Sequence, residues 1–356
     1  MNQFIIYLMT VFMVIGAIDR ILGNRLGLGQ EFENGVMTFG TLALSMLGII
    51  SLAPVLAGVL RPVVVPVFRL LGADPGMFPG AILACDMGGA ALSLELAESR
   101  EAGLFGGTII GSMLGATIVF TIPVALGIIP KEDRKYLAQG VLAGIITIPV
   151  GALAGGLLAG FSLLMICRNL IPIVIFAALI AIGLWKAERA MIKGFTVFGW
   201  FVTALITVGL AAAIVEELTG WVIIPGMAPL SEGYAVIGGI ALILAGAFPL
   251  VYAVTRLFRR PLLKLGGLLG MNEAAAAGMV ATLANSIPMF GMLKDMDDRG
   301  KVLNVAFAVS AAFVFGDHLG FTAGFAPEML VPVIAAKLVS GISAVALAMV
   351  LTKRNA

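Results

Sequence analysis

The uncharged run AGLFGGTIIGSMLGATIVFTIPVALGI, residues 102–128, decides the fold class. About 20 apolar residues in a row are enough for a helix to span the hydrocarbon core of a bilayer. This run is longer and contains no Asp, Glu, Lys or Arg. Gly107, Gly111 and Gly115 recur at four-residue spacing, which in apolar helices means close helix packing. The run therefore predicts a membrane helix packed against other helices.

Comparable runs cover most of the remaining chain. Of its 356 residues, 60% are apolar and 12% are charged, whereas a soluble domain is roughly half apolar and about one quarter charged. An ordinary soluble enzyme is excluded, because it needs charge to cover its surface. We predict an all-α, polytopic integral membrane protein with about 10–11 transmembrane segments at this span length. The candidate segments are 3–18, 35–60, 79–97, 102–128, 136–165, 170–185, 194–215, 233–254, 268–291, 302–325 and 329–352.

Two of these runs, 79–97 and 268–291, are the least regular. They are rich in Gly, Ala and Pro, and both contain acidic residues. Backbone that breaks at membrane depth is tolerated only where it is buried in protein or lines a cavity. Each run is therefore predicted to be a half-helix or a re-entrant hairpin.

Charge between the runs predicts an orientation. The loop 216–232 has three acids and no Lys or Arg. The positive-inside rule places this loop outside and the basic clusters in the cytoplasm, on the reading that 79–97 crosses the membrane. These clusters include Arg61/Arg69, Lys131/Arg134/Lys135 and Lys186/Arg189/Lys193.

An echo between two parts of the chain predicts an internal repeat. PVLAGVLRPVVVPVFRLLGADPGMFPGAIL (54–83) aligns with PLVYAVTRLFRRPLLKLGGLLGMNEAAAAGMVA (249–281) and pairs Gly80 with Gly278. The same alignment places Asp86 beside Ala284–Asn285.

We predict a single membrane transporter domain over residues 1–356 with a first structural repeat over 35–165 and a second over 233–352. A rival alignment pairs 121–134 with 286–299. Many secondary transporters place their binding sites in broken helices between such repeats. The sequence leaves open whether this repeat is inverted.

Charged side chains inside the apolar runs mark the candidate site. Such a charge costs at least ~2.5–3.5 kcal/mol on insertion scales, so it usually marks a pathway or a binding site. Asp86 lies in ACDMGG, and Asp317 and His318 lie in FGDHLG. The functional interpretation is a carboxylate that binds a cationic amine or a coupling ion, with the histidine relaying a proton or orienting the acid. The structural alternative is a buried partner of another polar group.

Other polar and aromatic residues are secondary candidates. Glu273 can bind a cation or cap the helix that follows it. Asn285 can bind a hydroxyl group or satisfy a carbonyl freed by the next proline. The rings of Phe120 and Phe290 can face a cation or simply pack in the core. Lys337 is interpreted as the neutraliser of a buried acid or as a side chain that extends towards the membrane interface.

Several function classes lack their motifs. No phosphate-binding loop of the form G-x-x-x-x-G-K-[ST] occurs, and no hydrolase motif supports a membrane enzyme. Cys85 and Cys167 show no metal-binding spacing, so we expect no metal and no cofactor. A net charge of +2 without a basic stripe argues against nucleic-acid binding. The expected surroundings are the lipid bilayer, and the glycine-rich helix faces are compatible with a homodimer.

Three motifs carry a resemblance to a known family. ACDMGG (84–89), ATLANSIPMFGM (281–292) and FGDHLGF (315–321) are similar to those of the ethanolamine utilization protein EutH family, described as ethanolamine permeases. The resemblance implies a multi-pass protein of the bacterial cytoplasmic membrane that transports ethanolamine. The residues make this plausible, because a small ammonium with one hydroxyl calls for a carboxylate, an aromatic face and an amide.

Two alternatives follow from the same residues. One is an ion-coupled transporter of another small polar solute, and the other is a membrane sensor or scaffold that transports nothing. Intramembrane acids count against a scaffold, which has no need to bear their cost.

Overall fold

The computed structural model describes residues 2–353, without the side chains of residues 2, 188, 258–260, 262–268 and 353. Within 2–353 the regular structure is helical, with no strand. Eight of the described helices are long and apolar enough to cross a membrane. The prediction of an all-α polytopic membrane protein is therefore confirmed.

The long helices follow the predicted runs. Apolar side chains dominate their surfaces, as expected where lipid rather than water is the solvent. A π-helical turn, Ala43–Leu47, joins α2 to α3. Helix α9 bends at Ala187, whose backbone is non-helical. The bounds are α1 Asn2–Ile21, α2 Leu28–Leu42, α3 Gly48–Leu70, α4 Met77–Ile82, α5 Gly89–Leu96, α6 Arg100–Leu104, α7 Ile122–Ile128, α8 Arg134–Leu158, α9 Leu163–Thr219, α10 Leu230–Leu268, α11 Glu273–Ala284, α12 Ser286–Met292, α13 Asp298–Ala311, α14 Asp317–Phe325 and α15 Leu330–Lys353.

Residues 74–99 form a re-entrant hairpin, here called the first hairpin. Its arms α4 and α5 are too short to span a bilayer, and its tip carries a short 3-10 turn, Cys85–Met87. The two ends of the hairpin meet, because Gly76 lies against Ala97. The run 79–97 therefore enters and leaves on the same side of the protein. Of its two predicted forms, it takes the re-entrant hairpin and not the half-helix, and it does not cross the membrane.

Asp74 closes the base of the first hairpin. Its carboxylate accepts backbone hydrogen bonds from Gly76, Glu98 and Ser99 at 2.8–3.2 Å. Burial raises the pKa of the Asp74 carboxyl above its ordinary value, while these N–H groups oppose the rise. One side chain thus ties both ends of the hairpin together.

Residues 272–297 form the second hairpin. Its arms α11 and α12 meet at Asn285, whose side chain caps α12 by accepting from the N–H of Ile287 at 2.8 Å. At the base, the Asn272 amide donates to the Asp295 carbonyl at 3.0 Å, and Asp297 accepts from the N–H of Asn272 at 2.8 Å. The run 268–291 is therefore re-entrant as well.

A third break, which we did not predict, interrupts the run 302–325. Helix α13 ends at Ala311 and α14 begins at Asp317. The N–H groups of Phe313 and Phe315 bond to the carbonyls of Thr282 and Leu283 at 3.2 and 2.9 Å. The tip of the second hairpin therefore supplies the acceptors that this unwound stretch lacks within its own helix.

The two hairpin bases lie on opposite sides of the protein. The segment 100–128 starts at the base of the first hairpin and crosses to the opposite side of the protein, called the far side here. Helix α8 therefore starts on the far side and runs back. Gly140 of α8 packs on Val305, and Gly144 packs on Val309 one turn later, so α13 runs parallel to α8. Since α13 starts at the second base, that base lies on the far side.

The basic clusters divide between these two sides. Lys131 and Lys186 stand at helix ends. Following the chain direction in the same way places both residues on the side of the second hairpin base. Arg61 instead donates to the Glu95 carbonyl at the first base, on the side of the acidic loop 216–232. The prediction that all clusters share one side is wrong for Arg61/Arg69, because 79–97 turns back instead of crossing.

Candidate functional site

A central cavity of about 250 Å³ opens where the broken elements meet. The tip of the first hairpin contributes Asp86, and the break before α14 contributes Asp317 and His318. Phe120 also lines it, from the segment 100–128. Four of the predicted site residues, distant in sequence, therefore share one cavity.

Asp86 lies at the partly exposed end of a chain of polar groups, in which His318 and Lys337 are buried. Its Oδ1 lies 3.7 Å from Nε2 of His318, and the Asp86 side chain is 19% exposed. Nδ1 of His318 lies 3.0 Å from Nζ of Lys337, which also donates to the Ser112 carbonyl at 2.6 Å. An ammonium group can only donate, so Nδ1 accepts and Nε2 carries the proton. His318 is thereby held with its donor towards Asp86.

The formal charge of this group of residues favours a cation. Asp86 and Asp317 contribute two negative charges when ionised, and Lys337 contributes one positive charge. With His318 neutral, the sum is −1. A buried net charge is costly unless it is paired, so one monovalent cation in the cavity would balance it.

Aromatic rings form one wall of the cavity. The rings of Phe120 and Phe313 meet edge-on, with centroids 5.5 Å apart. Phe313 also lies 5.2 Å from the ring of His318, and its backbone adopts φ 63°. A bulky residue in this left-handed region is a strained outlier of the kind that concentrates at functional sites.

Hydroxyl groups that we did not predict complete the lining. Thr38, Thr41 and Ser45 of the α2 region face the same cavity. The hydroxyls of Thr41 and Ser45 donate to carbonyls of their own helix at 2.9 and 3.1 Å. Their oxygens keep lone pairs that can accept N–H groups from a ligand.

Asn285 lies in a second cavity of about 320 Å³ that adjoins the first. Asp317 lines both cavities. Because the Asn285 side-chain oxygen is used as a helix cap, its NH₂ group is the part available to a ligand. Asn285 and Asp317, two of the predicted site residues, therefore line one cavity, although Asn285 does not line the central one.

Two predicted site residues lie away from both cavities. Glu273 is exposed at the base of the second hairpin, in the first turn of α11, where an acid favours the helix dipole. Phe290 is 1% exposed and packs in the core. The structure does not bring either residue together with Asp86.

One set of side chains has the geometry of a metal site. Ligand atoms of Cys85, Asp86 and His318 lie within 4.8 Å of one another. Cysteine, aspartate and histidine are all ligands of zinc. The Lys337 ammonium at 3.0 Å from His318 opposes a divalent cation there by charge, so the arrangement by itself carries no metal assignment.

Comparison with known proteins points to one family. The family model described as "Ethanolamine utilisation protein, EutH" matches residues 1–351. A protein of Listeria monocytogenes named "Probable ethanolamine permease EutH" is 64% identical over 99% of this chain and 95% of its own length. The Escherichia coli protein of the same name is 50% identical over 99% and 96%. "Uncharacterized protein YxeR" of Bacillus subtilis is 51% identical over 98% and 94%. No solved structure matches.

Proposed function

Because the chain belongs to the EutH family of ethanolamine utilisation proteins, we propose that it transports ethanolamine across the bacterial cytoplasmic membrane. Relatives with half or more of their residues identical are named probable ethanolamine permeases. A permease moves its substrate without transforming it, so the protein is not an enzyme under this proposal. Its several membrane-spanning helices suit that role.

The observation that carries the proposal is the pair Asp86 and Asp317 on one cavity. Ethanolamine near neutral pH carries a primary ammonium, as lysine side chains do. The cavity supplies carboxylates for the ammonium and a ring wall at Phe120 and Phe313, which favours a cation. It also supplies the hydroxyls of α2, which suit a ligand with a hydroxyl of its own. In this proposal Asp86 and Asp317 bind the amine, and Lys337 balances the second carboxylate.

Transport by the purified protein tests this directly. Proteoliposomes containing the parent should take up labelled ethanolamine, and Asp86→Asn and Asp317→Asn should each lower uptake by at least about tenfold. The reason is that one charge-assisted hydrogen bond contributes roughly 1.5–3 kcal/mol. Glu273→Gln is the matched control, because it removes an exposed carboxylate outside both cavities. It should transport at the parent rate.

The alternatives give different results in the same assay. Parent proteoliposomes without ethanolamine uptake would favour a sensor or scaffold. Uptake of another small solute, unaffected by excess ethanolamine, would favour the other transporter. Uptake at the parent rate by both aspartate variants, inserted to the same level, would contradict the proposed site.

A further inference from the structure

The second cavity has the chemistry of a binding site in its own right. We propose that it is a second subsite for a small organic ammonium, from which the amine passes to the central cavity along Asp317. The proposal rests on the proposed function for the identity of the amine. It adds a binding site outside the Asp86 cluster.

Two carboxylates and three rings define the subsite. Glu31 and Asp317 line the cavity together with Phe248, Tyr252 and Phe315. Ammonium groups bind over aromatic faces, and carboxylates add direct charge pairing. No Lys or Arg is among the described residues that line it, so the lining itself supplies two carboxylates and no positive charge. This combination selects a cation that carries some apolar surface.

Divalent inorganic cations fit the same cavity less well. Ca²⁺ takes six to eight oxygen ligands, and Mg²⁺ requires an octahedral set. Here much of the wall is carbon, from Val251 and the three rings. The free NH₂ of Asn285 can donate to the hydroxyl oxygen of an amino alcohol. An amino alcohol thus uses both carboxylates and the Asn285 amide of the lining.

The two cavities meet at one shared residue, Asp317. Glu31 and Thr38 belong to the same helix, α2, and are separated by about two helical turns, roughly 10 Å. Glu31 lines the second cavity and Thr38 the central one, with Asp317 common to both. In this proposal the ammonium keeps Asp317 as its partner when it passes from one cavity to the other.

Binding to a protein with a disabled central site tests the inference. Purified Asp86→Asn protein should still bind labelled ethanolamine, because Glu31 and Asp317 remain. Adding Glu31→Gln should weaken that binding about tenfold or more. Adding Glu33→Gln, an exposed carboxylate on the same helix that pairs with Arg20, should leave it unchanged.

A second pair of variants separates ring contacts from folding. On the Asp86→Asn background, Tyr252→Phe keeps an aromatic face and should retain binding, whereas Tyr252→Leu should weaken it about tenfold. Monodisperse elution of each variant checks its fold.

The outcomes distinguish this inference from the proposed function. The inference is overturned by a parent that transports ethanolamine while Asp86→Asn shows no binding. It is equally overturned if Glu31→Gln and Glu33→Gln bind alike on that background. A parent that neither binds nor transports ethanolamine overturns the proposed function, and with it the amine assigned here.

Discussion

Phe313 shows at the scale of one residue how the site is held. Its backbone is left-handed, with φ 63°, a conformation that costs an L-residue roughly 1–2 kcal/mol. The N–H of Phe313 bonds to Thr282 of the second hairpin, and its ring packs on Phe120 and His318. These contacts fix the residue in a conformation that the chain would not adopt alone.

Replacing Phe313 by Gly and by Ala isolates this backbone strain. Both changes remove the ring, but only Gly relieves the left-handed conformation. We expect Phe313→Gly to be more stable than Phe313→Ala by about 1 kcal/mol, measured by thermal unfolding in detergent. At Phe290, inside α12, the order should reverse, because Gly costs about 1 kcal/mol relative to Ala within a helix. If the Gly variant were the more stable one at both positions, or the Ala variant at both, the proposed backbone strain at Phe313 would be refuted.

Single residues also show what the sequence could predict about the site. Asp86, Asp317 and His318 stand out because charge within an apolar run has a cost that must be offset. Thr38 and Ser45 carry no such signal, since a hydroxyl in a membrane helix satisfies itself on its own backbone, as Ser45 does with Thr41. The contact of Lys337 with His318 depends on packing between helices, which no local pattern encodes.

At the scale of elements, each hairpin tip is fixed by a glycine of the segment that follows. A Cβ on Gly115 would collide with the Leu83 carbonyl, and one on Gly316 would collide with the Ala284 carbonyl. Only glycine allows backbone this close. Because Asp86 lies three residues after Leu83, this contact also sets the depth of the carboxylate.

Gly115→Ala should therefore displace the first hairpin tip. We expect a loss of about 1–3 kcal/mol of stability, as for overpacked cores, together with reduced ethanolamine uptake. Gly127→Ala, in the same segment, meets no atom within 4 Å and serves as the control. Uptake and thermal midpoint, measured for both variants, should separate them. Equal values would contradict the close approach.

The places where the membrane segments break were partly predictable from the sequence. The sequences of 79–97 and 268–291 contain Gly, Pro and acids that weaken a helix, and both are broken in the structure. The break at 312–316 has no proline, and the acceptors that stabilise it, Thr282 and Leu283, lie on another hairpin. A contact of this kind joins two distant parts of the chain, so it cannot be recognised from the sequence of either part alone.

At the scale of the whole molecule, the two halves share one order of elements. A long helix, a re-entrant hairpin, a third segment and a further helix appear over 28–158 and again over 230–353. The third segment is a continuous, largely π-helical helix in the first half, 100–128, whereas in the second half it is broken at 312–316. The final helices α8 and α15 run antiparallel, because Thr147 bonds to Ser340 while Gly155 lies against Pro332. We propose that the repeat predicted over 35–165 and 233–352 is an inverted one, because these final helices run in opposite directions.

An inverted repeat makes a prediction about the two membrane faces. Glu101 and Glu273 are exposed residues in the first turns of α6 and α11, at the bases of the first and second hairpins. Lys131 and Lys186 lie with the second base, so the positive-inside rule puts that base in the cytoplasm.

Single cysteines at these two positions test the arrangement in cells. A background with Cys167→Ser removes the exposed native thiol, while Cys85 is buried. We expect Glu101→Cys to react with a membrane-impermeant maleimide added to intact cells. Glu273→Cys should react only after the membrane is opened, and the background alone should not react. Labelling of both positions from the same face would exclude hairpins that enter from opposite sides, and with them the inverted repeat.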